Sequence, residues 1–344
     1  MSVTIETSQR SVPQQMRERR LQTGSIADRF HRLRIGFVNN MPDASFATAE
    51  RQFLGLIDAA GADYDIRLIP IALQTLPRSA ATREAMAPTY RDPQYLRSAS
   101  LDALIVTGAE PRSPDLAEEP FWAELTALID WARGGVVSAL YSCLAAHAVA
   151  LHRDGVARRR LPRKLSGVYE CKTLVDHDLT RGLTSVTVPH SRFNALAECD
   201  LEAKNYTILT YSPEAGPDVF IKDKGVLEVF WQGHPEYEAE TLAREFRRDA
   251  LRFVNHDWPR PPRPPDGYFD AAALARIESV MARARDEGTP SEVIAAGLDP
   301  ASLAPASASW DASSTRLMGH WLREISRRKA EAAADTFARV RWGG

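Results

Sequence analysis

The chain is poor in cysteine: Cys143, Cys171 and Cys199 are its only three in 344 residues, too few and too scattered for a disulfide framework or a zinc site. Such usage suits a reducing compartment, where a cysteine is either core filler or a nucleophile. No apolar run approaches the ~20 residues needed to cross a bilayer, so no membrane partner is expected. The opening stretch, MSVTIETSQRSVPQQMRERRLQ, has no apolar segment of the kind a secretory signal needs. Glu6, Glu18 and Asp28 argue against a transit peptide, and a cytoplasmic location is the expectation. A formal net charge of −2 gives no bulk electrostatic reason to expect nucleic acid or an anionic surface. There is no internal repeat. What remains is an ordinary globular composition, 44% hydrophobic and 26% charged, in a chain long enough for one large α/β domain or a domain with a smaller unit.

The first half alternates strands and helices. Strands are expected at 33–38 (LRIGFV), 65–70 (DIRLIP), 101–106 (LDALIV) and 136–140, with helices at 48–60 and 121–133. Residues 76–98 carry several prolines and no clear period, and read as loop with at most a short helix. Nearly continuous apolar strands separated by helices indicate a mostly parallel sheet flanked by helices, with reactive groups at the carboxyl ends of its strands. Short strands at 185–188, 207–211, 219–222 and 226–231 suggest a more antiparallel section, followed by a helix at 238–253. A proline-rich stretch, 259–265, leads to helical patterns at 271–286 and 315–333. The chain therefore divides into a mobile arm (1–30), an α/β domain (31–258) and a Pro-rich linker with a helical C-terminal extension packing on that domain (259–344).

Cys143 follows an apolar strand and opens the helix 144–151. A nucleophile on such a turn is exposed at the sheet edge, beside backbone N–H groups that can hold an oxyanion; a buried structural cysteine would give the same local pattern. The strand 226–231 runs into Gln232-Gly233-His234-Pro235-Glu236-Tyr237. Imidazole is the natural base for a thiol, and a carboxylate two residues on can orient it. The plainer reading of Glu236 is a cap on the next helix.

Taken in order, NNMPDASFATAERQFLGL, ALIVTGAE with FWAEL and IDWA, the Cys143 turn, RKLSGVYECK, VPHSRFNAL, GHPEYEAETLAREFRRD and a late WDASSTRLMGHWL resemble the homoserine O-acyltransferase family, on a class I glutamine amidotransferase-like (flavodoxin-like) fold. The resemblance covers about residues 33–258, with a weaker echo at 310–322. It implies that Cys143 takes an acyl group from acyl-CoA, that His234 is the general base and that Glu236 orients it. It implies amino-acid binding by Arg192 and Arg248, whose planar forks suit a carboxylate, with Ser191, Lys164 and Tyr169 at the pocket. Acyl-CoA is then a co-substrate, no metal or other cofactor is required, and a homodimer is expected.

The chain departs from the family pattern in four places. Asp43-Ala44 follow Met41-Pro42 where lysines are common. Leu144-Ala145-Ala146-His147 replaces a Trp-Gly-Ala-Gln run, so that His147 either retunes the acceptor pocket or packs in the helix. Arg112 falls at the position that discriminates acyl groups, where a guanidinium pairs with a succinyl carboxylate or faces solvent. Residues 259–309 are long for the family, as a lid, a dimer contact or padding. These readings favour succinyl transfer to L-homoserine in methionine synthesis. The alternatives are the same chemistry on serine or another hydroxy-amino acid, and a glutaminase-type cysteine hydrolase.

Overall fold

The computed structural model describes residues 3–6, 31–284 and 289–342, with side chains described to 335. Its strands are β1 (Val3–Ile5), β2 (Arg32–Val38), β3 (Asp65–Ile71), β4 (Ala103–Val106), β5 (Ser138–Ser142), β6 (Arg159–Thr173), β7 (Ser185–Ala195), β8 (Thr207–Ile208), β9 (Thr210–Ser212), β10 (Gly216–Pro217), β11 (Val219–Asp223) and β12 (Leu227–Trp231). The helices are α1 (Asp43–Ala60), α2 (Ala80–Met86), α3 (Trp122–Gly135), α4 (Leu144–Asp154), α5 (Glu198–Glu202), α6 (Thr241–Val254), α7 (Ala271–Arg283), α8 (Ser291–Gly297), α9 (Pro300–Leu303) and α10 (Asp311–Trp342).

The main sheet has the order β1-β3-β2-β4-β5-β12-β11-β8, parallel from β1 to β12 and antiparallel at β11. Successive strand residues point to opposite faces. Leu104 and Val106 join one core with Leu125, Leu128 and Ile129 of α3 and Ala146 and Val149 of α4. Ala103 and Ile105 join the other, with Phe53, Leu56 and Ile57 of α1 and Leu317, Met318, Trp321 and Ile325 of α10. Burying both faces explains why these strands read as unbroken apolar runs rather than alternating ones.

Three expectations change. Residues 3–5, placed within an arm, form edge strand β1 beside β3, because alternate side chains of VTI find the open edge; residues 7–30 lie outside the described residues. The segment RKLSGVYECK is strand β6, which pairs with β7 in a separate four-stranded sheet, β10-β9-β6-β7. Its long run of mixed polar residues hides the strand from a hydrophobicity reading, since few of its side chains are buried. Strand 185–195 thus leaves the main sheet, while β12 lies parallel to β5 and only β11 and β8 supply the antiparallel section. Helix α1 also starts five residues earlier than its apolar period, with Pro42 before it and Asp43 in its first turn.

Helices α7, α8 and α9 pack on α6 around Phe246, Tyr268, Phe269, Ile277, Ile294 and Trp310. Chain 259–309 reaches the second sheet at Gly167: a Cβ there would lie 2.5 Å from the Asp266 carbonyl oxygen, so only glycine allows the approach.

Candidate active site

Strands β5 and β12 run side by side, with Tyr141 opposite Phe230 and Ser142 opposite Trp231. Rings of Tyr141 and Phe230 stack at 5.5 Å, and Phe230 on Phe220 at 4.8 Å, tying the strand ends together. Each strand then delivers a reactive group. Cys143 has φ 49° and ψ −106°, an unfavourable conformation for a residue with a side chain, at the N-terminus of α4. Its N–H donates to the Trp231 carbonyl at 2.6 Å, which holds the turn in place. Gly108, just beyond β4, closes over it: a Cβ there would lie 3.4 Å from Leu144 N and 3.6 Å from Cys143 Cβ.

His234 sits three residues past β12, its N–H donating to the Pro189 carbonyl at 2.7 Å. Its Nδ1 lies 2.8 Å from Glu236 Oε1, and both side chains are nearly buried. Burial works against the imidazolium, but the Glu236 charge and then the neighbouring Cys143 outweigh it and raise its pKa well above the ordinary value. The Tyr237 ring stacks on His234 at 4.4 Å, and the Tyr237 carbonyl accepts from Trp310 Nε1 at 2.7 Å. The thiol, imidazole and carboxylate therefore form a connected line able to carry nucleophilic acyl chemistry. Glu236 is no helix cap: α6 begins only at Thr241.

Beside this line is a charged cluster. Lys164 Nζ lies 2.7 Å from Asp249 Oδ2 and 3.4 Å from Glu245 Oε2. Glu245 also accepts from the Ser191 hydroxyl and, at 2.9 Å, from the Tyr237 hydroxyl. Burial pushes the Glu245 carboxyl up, yet Lys164, Arg248 and Ser191 together bring it down to about 2. Arg248 pairs with Asp249 at 2.9 Å and keeps 44% of its side chain exposed.

The other singled-out residues fall in different places. Arg192 is buried: Nη1 faces His190 Nδ1 at 2.9 Å, Nη2 donates to the Ala215 carbonyl at 2.5 Å, and Nε has no hydrogen-bond partner. These two contacts hold the guanidinium in place, and its charge acts on Cys143. Tyr169 gives its hydroxyl to Asp266 at 3.0 Å, which makes it a link to the C-terminal extension. His147 is buried in α4, its Nε2 2.7 Å from Gln232 Oε1, and Gln232 Nε2 donates to the Cys143 carbonyl at 3.3 Å. Burial drops the His147 pKa to about 3, so this neutral imidazole packs behind the turn rather than in an acceptor pocket. Arg112 is exposed, on a loop pinned by its own N–H to Glu119 Oε1 at 2.5 Å.

Sequence reasoning missed Glu245, Asp249, Tyr237 and Gln232. A signal existed for two of them: Glu245 and Asp249 stand four apart on amphipathic α6, each next to a buried apolar residue, Phe246 and Ala250, where unpaired carboxylates are rare.

The sheet, the cysteine at its turn and the His–Glu pair together define an α/β protein with a candidate Cys–His–Glu site at its strand ends. A family model described as homoserine O-succinyltransferase matches residues 15–329. A homoserine O-succinyltransferase of Methylorubrum extorquens is 43% identical over 303 residues, covering 88% of this chain and 90% of that protein. One from Rhodopseudomonas palustris is 45% identical over 262 residues, 75% of this chain and 78% of its own. Among solved structures, a glutamine amidotransferase of Thermotoga maritima covers 86% of this chain and 98% of that chain, at 13% identity and TM-score 0.46. The chain belongs to the homoserine O-succinyltransferase family.

Proposed function

We propose that the protein moves a succinyl group from succinyl-CoA, through a thioester on Cys143, to the side-chain hydroxyl of L-homoserine, a step of methionine synthesis. The observation that carries this is the adjacency of the Cys143–His234–Glu236 line to a cluster holding two cations and two carboxylates. A free amino acid is a zwitterion, and such a cluster can exchange its internal ion pairs for those of the substrate. Arg248 and Lys164 suit the α-carboxylate, while Glu245 and Asp249 suit the ammonium. Ser191 is placed to assist there, through its bond to Glu245.

In the first half-reaction the Cys143 thiolate attacks the thioester carbonyl and the C–S bond to CoA breaks. His234 gives its proton to the departing CoA sulfur. In the second, His234 takes the proton of the homoserine hydroxyl as its oxygen attacks the acyl-enzyme, and the Cys143 sulfur leaves as thiolate. The Leu144 N–H, at the start of α4 and beside Gly108, suits the oxyanion of both tetrahedral intermediates. The exposed guanidinium of Arg112 is the candidate partner for the succinyl carboxylate. An open groove of about 370 Å³ along α6, lined by Arg244, Arg247, Arg248 and Arg252, offers cationic surface to the CoA phosphates. The scheme needs no metal or redox cofactor. The same reading makes the protein a cytoplasmic homodimer; among the described residues no helix is long and apolar enough to cross a membrane.

Intact mass after mixing with succinyl-CoA tests the scheme. A gain of one succinyl group, absent in Cys143→Ala and discharged by homoserine, is expected. Discharge by serine alone would replace the acceptor, and the absence of any adduct would reject the scheme.

A further inference from the structure

Behind the Cys143–His234 pair lies a second set of buried polar groups that the acyl-transfer scheme leaves unused. Asp218 is 1% exposed and His190 0%. Asp218 Oδ1 accepts the Gly233 N–H at 3.0 Å, and its Oδ2 accepts the Thr210 hydroxyl at 3.0 Å. The Thr210 oxygen in turn accepts the Val219 N–H at 2.9 Å. The Asp218 carbonyl accepts the Gln232 N–H at 2.9 Å, so two successive amides ahead of His234 end on this one residue. Gly233 is glycine for the same reason: a Cβ would lie 2.6 Å from Val188 and 2.8 Å from Asp218 Oδ1.

The set also reaches Arg192. A guanidinium only donates, so its 2.9 Å contact makes His190 Nδ1 the acceptor and leaves the ring proton on Nε2. That Nε2–H faces Asp218 Oδ1 at 3.4 Å. Cys171, His190 and Asp218 offer ligand atoms within 4.8 Å of one another, a spacing that suits a metal ion. The tautomer fixed by Arg192 removes the Nε2 lone pair a metal would need; the hydrogen bonds run from Thr210 through Asp218 to Gly233, while His190 Nε2 faces the carboxylate without completing one. A carboxylate this deep with no cation bound directly is costly, and an apolar side chain would serve the fold better. What the carboxylate supplies is acceptor oxygen to the turn that leads into His234.

We propose that Asp218 is a positioning residue for acyl transfer: through Gly233 it fixes the backbone that carries His234. The inference rests on the reading of Cys143 as the nucleophile. Asp218→Leu, which keeps the branched skeleton but is apolar and bulkier, is expected to lower kcat about 50-fold with the homoserine KM within about twofold, because misplacing reacting groups costs rate far more than binding. Asp218→Asn keeps an acceptor toward Gly233 and is expected to stay within about threefold of wild-type kcat. Thr210→Val is isosteric and releases one carboxylate oxygen; it is expected to lower kcat about fivefold with KM unchanged, and it serves if Asp218→Leu does not fold. The rate of Cys143 alkylation by iodoacetamide should follow the same order across the three variants. Wild-type kcat in folded Asp218→Leu or in Thr210→Val would overturn the proposal, as would Asp218→Asn impaired as deeply as Asp218→Leu. Wild-type protein that alkylates at Cys143 but forms no succinyl adduct would instead overturn the functional reading, and the alkylation series would still decide the positioning role.

Discussion

Glu236→Gln isolates one quantity, the charge that holds the His234 imidazolium. The glutamine oxygen can still accept from Nδ1, so the 2.8 Å contact and the ring orientation survive while the charge is lost. Charge centres about 4 Å apart at an effective dielectric near 20 attract by about 4 kcal/mol. The retained amide dipole and adjustment of the site return about half of this, leaving a net loss of about 2 kcal/mol, or about 30-fold in the thiolate–imidazolium population. Iodoacetamide alkylation of Cys143 at pH 7 and succinyl-enzyme formation followed by rapid-quench mass spectrometry should both slow by about that factor. The linkage runs in a stated direction. A histidine whose folded pKa is raised adds stability that is fully present below its ordinary value of 6.5 and is lost as pH rises through the raised one. Urea unfolding of Glu236→Gln should accordingly lose most stability on the acid side and flatten the alkaline decline. Alkylation within threefold of wild type, in a protein where His234→Ala is inert, would refute this account of the pair.

Gly108→Ala places a methyl at ordinary contact distance, 3.4 Å from Leu144 N, so differential scanning fluorimetry should find little change in Tm. The same methyl stands where the oxyanion would meet that N–H, and succinyl-enzyme formation should slow about 100-fold. Lys164→Ala removes the cation shared by Glu245 and Asp249 and is expected to raise the homoserine KM at least tenfold in steady-state assays, with a smaller effect on the rate of Cys143 acylation. Glu245 is held at about 2 against an ordinary 4.5, so its contribution, about 3 kcal/mol, is present above pH 4.5 and is lost as pH falls toward 2. Comparing urea midpoints of wild type and Glu245→Gln at pH 6 and pH 3 should show the gap closing at the lower pH. An Arg112→Ala enzyme should lose about tenfold of its preference for succinyl-CoA over acetyl-CoA, read from kcat/KM ratios.

The parallel half of the fold was legible because both faces of β2, β4 and β5 are covered, which writes burial into consecutive residues. Cys143, His234 and Glu236 were legible for a related reason, since each follows a strand whose apolar run stops abruptly. Strand β6 was not, because its partner strand and the Asp266 segment satisfy its backbone while many of its side chains stay wet. Arg192 shows a different limit. Its neighbours in sequence say that a guanidinium stands near the site, but only the fold reveals that His190 on its own strand and the Ala215 carbonyl, 23 residues on, hold it. His147 and Gln232 are 85 residues apart, and the bond that explains the histidine in α4 has no trace in local pattern.

Helix α10 reaches the floor of β5: Trp321 is fully buried, and its Nε1 donates to Ser138 Oγ at 2.9 Å, on the strand that ends in the nucleophile. During synthesis this helix is made after every strand of both sheets. Until those residues emerge from the ribosome, one face of the strand beneath Cys143 lies open, and the nascent chain holds its thiol, imidazole and carboxylate on an unfinished support. Activity is thereby coupled to the synthesis of α10. A polypeptide stopped short of α10, even one carrying Cys143, His234 and Glu236, should be a substrate for proteolysis rather than a working acyltransferase.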